Sequence, residues 1–321
     1  LGGCGFFTSS YFPFYLSKSL AVADIEDIIP DLRGLSFEEY SVEMKYLKAA
    51  SGGYLLMRVR FMPQLDGSTP EDRLVIFDES LTLQRVWKRS ELSPLGFGKL
   101  LMSDVDGDFA VGFTDASETA EVVTISSLNG EKLSTYSPEN GVDSGGYAYG
   151  GVNYQFSVDA DTGSIVNCTQ ANPSWGDLAI GSSPTIRFGY SYSISDVVYD
   201  PSRPSGEEIA VVFRQGGGGF LVTFLSKGTS IFSSDLVTNY PWFFVPSYDS
   251  DFVFYISKGL VTQGENNNLI LNRFDGSTSE SPSFEGESFT RGMYFEPSGN
   301  YMFTYDFDTR ELYKSYTWWQ P

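Results

Sequence analysis

From about Ser41 onward, short apolar runs alternate with clusters of Gly, Ser, Pro, Asn and Asp. Runs of a few residues, rich in Tyr, Phe and Val and bounded by turn-formers, predict β-strands. The 3.6-residue period of an amphipathic helix is nearly absent. It is met over Ser19–Ile29, where Pro30 would end the helix, and again over Ser36–Tyr40. The pattern therefore predicts an all-β chain with two short helices near its start.

The runs recur with a period. A turn cluster followed by an apolar strand is found at Ser51-Gly52-Gly53 before Tyr54–Met57 and at Asp106-Gly107-Asp108 before Phe109–Val111. Further copies are Ser144-Gly145-Gly146 before Tyr147, Pro204-Ser205-Gly206 before Ile209–Phe213, Asp249-Ser250-Asp251 before Phe252–Tyr255, and Pro297–Asn300 before Tyr301–Phe303. Apolar runs precede several copies: Met44–Leu47, Leu100–Met102, Val197–Tyr199, Trp242–Val245 and Met293–Phe295. A second hairpin follows most of them. Arg73–Phe77 is expected to pair with Leu81–Trp87, and Glu121–Ile125 to turn at Asn129-Gly130 into Lys132–Tyr136. Phe220–Leu225 is expected to turn at Lys227-Gly228 into Ser230–Phe232, and Leu269–Phe274 to turn at Asp275-Gly276. Asn-Gly and Asp-Gly favour tight hairpins because both central residues need positive φ.

Two hairpins per unit, at a mean spacing of ~50 residues, make a four-stranded meander of the kind that propellers repeat. Over Ser41–Trp319 the chain thus resembles a β-propeller. The resemblance rests on the repeat alone, since no WD, kelch or Asp-box series is present. It implies six four-stranded blades, with five or seven left open by the irregular unit Ser137–Phe188. Two β-sandwich domains are the rival architecture, although sandwiches do not require so regular a repeat. In a propeller, neighbouring blades cover both faces of each sheet, so its inner strands read as continuous apolar runs. Trp242–Val245 and Phe252–Ile256 fit that description.

The last unit offers only three strands, Arg291–Glu296, Tyr301–Asp306 and Glu311–Trp319. Its open edge would be an aggregation hazard. The spare N-terminal stretch Phe6–Ile29 is expected to supply the missing strand, pairing with Glu311–Trp319 and closing the ring. The chain then divides into an N-terminal segment, 1–30, and a single propeller domain, 31–321.

Composition narrows the chemistry. The 321 residues include 41 Asp and Glu against 21 Lys and Arg, a net charge of -20, which disfavours nucleic acid and anionic membranes as partners. The absence of histidine excludes Ser-His-Asp catalysis and His-ligated metals. Asp104, Asp106 and Asp108, alternating around Gly107, could converge carboxylate oxygens on calcium. The segment resembles the calcium loop of FG-GAP propeller repeats, which would make these three residues ligands. It departs from that loop at Phe109 and lacks the downstream Asp-Leu. A solvated hairpin turn is the simpler account. Asp159-Ala160-Asp161-Thr162-Gly163 is a fainter version, Gly216–Gly219 lacks the Lys-Ser/Thr and helix of a phosphate loop, and Asn167-Cys168-Thr169 is an isolated glycosylation sequon.

Leu1-Gly2-Gly3-Cys4 resembles the lipobox of bacterial lipoproteins, which implies a lipid on Cys4 and a place in the cell envelope. The alternatives for Cys4 are a free thiol or a disulfide with Cys168. Taken together, these features predict a non-catalytic extracytoplasmic scaffold that recognises a protein or glycan through propeller loops, without nucleic acid and with the membrane reached only by the lipid. Two readings stand beside it. One is a carbohydrate-active enzyme using axial carboxylates, although no acidic pair stands out. The other is a structural subunit of a surface assembly.

Overall fold

A computed structural model describes residues 19–49, 52–61, 71–88, 100–105, 108–114, 123–127, 132–136, 143–149, 152–158, 165–172, 176–180, 192–200, 202–207, 209–215, 219–225, 242–245, 252–264, 268–281 and 292–319. Between residues 100 and 180 the description is of strand path and register only.

The described strands form six four-stranded antiparallel sheets. The first holds β2 (Tyr40–Ala49), β3 (Gly52–Phe61), β4 (Glu71–Asp78) and β5 (Leu83–Lys88) in chain order. The second holds β6 (Leu100–Val105), β7 (Asp108–Thr114), β8 (Val123–Ser127) and β9 (Lys132–Tyr136); the third holds β10 (Asp143–Tyr149), β11 (Val152–Val158), β12 (Ile165–Asn172) and β13 (Gly176–Ile180). The fourth holds β14 (Tyr192–Tyr199), β15 (Ile209–Gln215), β16 (Phe220–Leu225) and β17 (Trp242–Val245); the fifth holds β18 (Val253–Ile256), β19 (Gly259–Gln263), β20 (Leu269–Arg273) and β21 (Thr278–Glu280). The sixth breaks chain order. It runs β1 (Ser19–Asp24), β24 (Glu311–Tyr316), β23 (Tyr301–Tyr305) and β22 (Met293–Phe295), so its outer strand comes from the other end of the chain. The first strand of each sheet lies beside the first strand of the next, from β2 through β6, β10, β14 and β18 to β22, and β22 lies beside β2. This is a β-propeller arrangement.

Several expected hairpins are present, although the strand expected from Leu81 begins at Leu83, with Leu81 in the turn. Arg73 opposes Lys88 and Phe77 opposes Leu83. Val123 opposes Tyr136. β20 turns at Asp275-Gly276, where Gly276 sits at φ 86°, a region that costs an L side chain about 1–2 kcal/mol. β1 pairs antiparallel with β24, Asp24 opposite Glu311 and Val22 opposite Tyr313.

Four expectations need correction. Ser19–Asp24 is a strand rather than the start of a helix; helix α1 is a single turn, Ile25–Ile28, begun where the Asp24 carboxylate accepts the Asp27 N–H at 3.1 Å. Ser36–Tyr40 is a turn, held by Glu39 accepting from both the N–H and the hydroxyl of Ser36, and Tyr40 already belongs to β2. β16 pairs with Trp242–Val245, Leu221 opposite Phe244, so that run ends the fourth sheet and is not an inner strand of the fifth. Residues 226–241, including the predicted turn and Ser230–Phe232, lie outside the described residues. Finally, Ser144-Gly145-Gly146 lies inside β10, opposite Ser157, Phe156 and Gln155, not at a turn.

Burial of the first strands varies: β22 is buried throughout and β18 nearly so. β2 alternates, with Tyr40, Val42, Met44 and Tyr46 buried and Ser41, Glu43 and Lys45 not. The second strands are covered on both faces: Leu55, Leu56 and Met57 in β3, Val211 and Val212 in β15, and Leu260 and Val261 in β19 are all buried. A second strand is hydrogen-bonded to a strand on each side, whereas a first strand is hydrogen-bonded on one side only.

The apolar clusters lie between sheets. One joins the first and sixth sheets: Tyr46, Met57 and Phe77 meet Phe303, Tyr305 and Leu312. Ile25, Ile29 and Leu32, from the N-terminal segment, belong to the same cluster and are almost fully buried. A second cluster joins the fifth and sixth sheets through Val261, Leu271, Phe295 and Met302, and a third joins the fourth and fifth through Val212, Phe224, Tyr255 and Leu260.

Candidate functional site

Two polar constellations stand out among the described residues. The first lies where the chain ends meet. β24 is preceded by a tight loop in which the Asp306 carboxylate accepts the N–H groups of Asp308 at 2.8 Å and Thr309 at 3.1 Å. The loop ends at Arg310, which adopts φ 58°, the left-handed region. That backbone aims the guanidinium at the N-terminal segment. Arg310 forms an ion pair with Glu26 of α1 and donates to the Leu35 carbonyl at 2.7 Å, while its own carbonyl accepts the Ile25 N–H at 3.0 Å. Arg33 extends the pair, its Nε lying 3.3 Å from Glu26. Beneath it, the hydroxyls of Tyr40 and Tyr305 are 3.2 Å apart, and the Tyr40 hydroxyl donates to the Phe307 carbonyl at 3.2 Å.

The second constellation ties the fourth sheet to the fifth. Asp200 is buried at the end of β14 and accepts from the Ser202 N–H at 3.0 Å, the Ser202 hydroxyl at 2.5 Å and the Tyr255 hydroxyl of β18 at 3.0 Å. Arg203 pairs with Glu207 and lays its guanidinium 3.6 Å from the Phe224 ring centre. Cation and ring attract through the ring's quadrupole.

Buried tyrosines share one electrostatic feature. Burial, reinforced by the neighbouring phenol of Tyr40, raises Tyr305 well above the ordinary phenol range. Burial and the Glu79 carboxylate, which accepts the Tyr46 hydroxyl at 2.6 Å, do the same for Tyr46. Burial and the charge of Asp200 raise Tyr255, and burial followed by the Glu311 hydrogen bond lifts Tyr313 to about 12. Raised phenols bind their protons more tightly folded than unfolded, so this stability is complete below the unfolded value near ~10 and falls as pH rises above it. The melting temperature is therefore expected to decline from about pH 10 upward. The 295 nm phenolate signal of these groups should appear together with loss of structure. Tyr305→Phe should flatten the decline; an unchanged alkaline profile in that variant would discount the linkage.

Several of the described carboxylates brace turns. Asp78 accepts from the N–H groups of Ser80 and Thr82, and Asp275 accepts from the N–H and hydroxyl of Ser277. The Ser277 bonds hold Asp275 below its ordinary value, and the Ser36 bonds do so for Glu39. Such acids are poor proton donors near neutrality. Among the described residues, no group of three or more Asp, Glu or Cys could hold a metal ion.

The residues singled out from sequence fall largely elsewhere. Asp104 and Asp108 are placed only as strand positions, Asp104 opposite Phe109 and Asp108 opposite Val105; Asp106 and Cys4 lie outside the described residues. Cys168 is placed in β12 opposite Phe156. Arg310, Glu26, Asp200 and Arg203 drew no attention as sequence. The one local signal was Asp306-Phe307-Asp308-Thr309, an Asp-rich stretch of the sort that braces a turn.

No protein-family description matches the chain, and no curated protein does. Solved structures do resemble it. The β-propeller domain of Cps50 (Swd1) from Myceliophteria thermophila superposes with a TM-score of 0.49 at 9% identity, over 87% of this chain and 96% of that one. A chain of the mitotic checkpoint complex gives 0.44 at 11% identity, over 95% and 97%. A prolyl endopeptidase gives 0.44 at 12% identity over 83% of this chain, which spans only 37% of the endopeptidase chain.

Proposed function

We propose that the six sheets are six blades of one closed disc and that the disc serves as a non-catalytic binding scaffold. It holds a protein or glycan partner outside the cytoplasm, tethered by a lipid on Cys4. The carrying observation is the cycle of first strands, in which β22 returns to β2, together with β1 fastened to β24. A closed cycle fixes the loops of all sheets relative to one another, which is what a recognition surface requires. Asp275 and Asp306 fit this reading, because their carboxylates brace loops, and the Ser277 bonds hold Asp275 below its ordinary value.

The test is purification from native membranes after chemical cross-linking, with mass spectrometry of the intact chain and of what is joined to it. One protein or glycan in fixed proportion, cross-linked to inter-strand loops, is the expected result. The chain should also begin at Cys4 with a lipid mass. Turnover of a polysaccharide by the purified chain would overturn the scaffold reading, and an unmodified Cys4 or a Cys4–Cys168 disulfide would overturn the anchor.

A further inference from the structure

We propose that the outer edge of β1 is a docking strip for an extended, basic segment of a partner protein, which adds to the sixth sheet as a fifth strand. This rests on the scaffold reading and names the surface it uses. Six large apolar side chains are exposed among the described residues, and three of them, Leu20 (48%), Val22 (47%) and Tyr316 (47%), sit on the two adjacent strands β1 and β24. Leu20 and Val22 lie along β1, while Tyr316 is at the end of the adjacent strand on the face opposite Val22. β1 is the terminal strand of its sheet, and a terminal strand offers main-chain donors and acceptors to an incoming chain.

Among the other outer strands with described side chains, β17 exposes Phe244 alone and two carry exposed charges. β5 exposes Gln84, Arg85 and Lys88 beside Leu83, and β21 exposes Thr278 and Glu280. Charges on an edge discourage strand addition. β1 exposes Leu20 and Val22 and carries a charge only at its end, Asp24. The occupant's chemistry follows from these features. Its backbone continues the antiparallel ladder, and alternate apolar side chains cover Leu20 and Val22. A lysine or arginine meets the exposed Asp24; Asp27 beside it is already paired with Arg33 at 3.4 Å. A second copy of the chain is disfavoured, because each carries a net charge of -20.

The probe is a displayed library of peptides about ten residues long, alternating Val, Ile, Leu or Thr with Lys, Arg, Ser or Gln, selected against the full chain. Enriched peptides should be cationic and should slow amide exchange across Leu20–Asp24. Their affinity should fall about tenfold or more in Val22→Lys, which puts a charge on the edge, and stay unchanged in Leu83→Lys on β5. Leu20→Lys, at the irregularity in the β1–β24 register, serves as the second variant if Val22→Lys folds poorly. Peptides that bind equally well to both edge variants would overturn the strip while leaving the scaffold reading standing. A library yielding no binder would overturn it as well. A concentration-dependent dimer of the chain, abolished by Val22→Lys, would assign the edge to a second copy instead.

Discussion

Deletion of residues 19–32 is expected to leave a protein that aggregates or melts far below the full chain. The cut removes β1, exposing the edge of β24, and takes Ile25, Ile29 and Leu32 from the cluster between the first and sixth sheets. Each large apolar side chain contributes roughly 1.5–3 kcal/mol by burial. Three of them approach the roughly 5–15 kcal/mol that holds a typical domain folded. A milder cut separates the contributions. Ile25→Ala and Ile29→Ala should each cost about 2–5 kcal/mol by urea denaturation, because each leaves a cavity that β-sheet neighbours cannot collapse to fill. A truncated chain that melts with the full one would show that β1 decorates the sixth sheet without holding it.

Arg310→Ala is expected to be the most damaging polar substitution at the junction of the chain ends. It leaves Glu26 with only the exposed Arg33 as a partner and removes the donor to the Leu35 carbonyl. Both side chains are mostly shielded, 17% and 29% exposed, but Arg33 remains beside Glu26, so the cost should be about 2–4 kcal/mol, between that of a surface pair and that of a broken buried one. Arg310→Gly provides the internal control. Glycine loses the same contacts but relieves the left-handed backbone, which costs an L residue about 1–3 kcal/mol. Urea midpoints should therefore rank the native chain above Arg310→Gly and Arg310→Ala lowest. Equal midpoints for native and glycine variants would mean that the ion pair contributes little and the backbone strain much.

What the sequence revealed, and what it hid, divides along sequence distance. The hairpins around Leu81 and Asp275-Gly276 were legible because turn residues and flanking strands are neighbours in the chain. The helical reading of Ser19–Asp24 failed because Leu and Ala favour helices and Asp24 caps one, whereas its expected pairing with Glu311–Trp319 is present; the partner β24 makes it a strand, and tertiary pairing overrides local preference. Trp242–Val245 was misplaced because an apolar run does not disclose whether it is covered on two faces or one. Phe243 packs edge-on against Phe274 at 5.2 Å, while Phe244 lies exposed on the outer strand. The Asp200–Tyr255 bond joins residues 55 apart, and no short motif could have announced it.

The junction also sets a clock. Arg310 and Glu26 are separated by 284 residues, and the partner of β1 among the described strands, β24, is made equally late. At about 5–20 residues per second, a ribosome needs roughly 15–60 s to make the intervening chain. Throughout that interval Leu20–Ala23 is an apolar strand in waiting, and the cavity that Ile25 and Ile29 will fill does not yet exist. The first sheet, whose own strands all lie early in the chain, can pair within itself long before it receives its neighbour across the seam. Assembly of the protein therefore ends where its sequence begins.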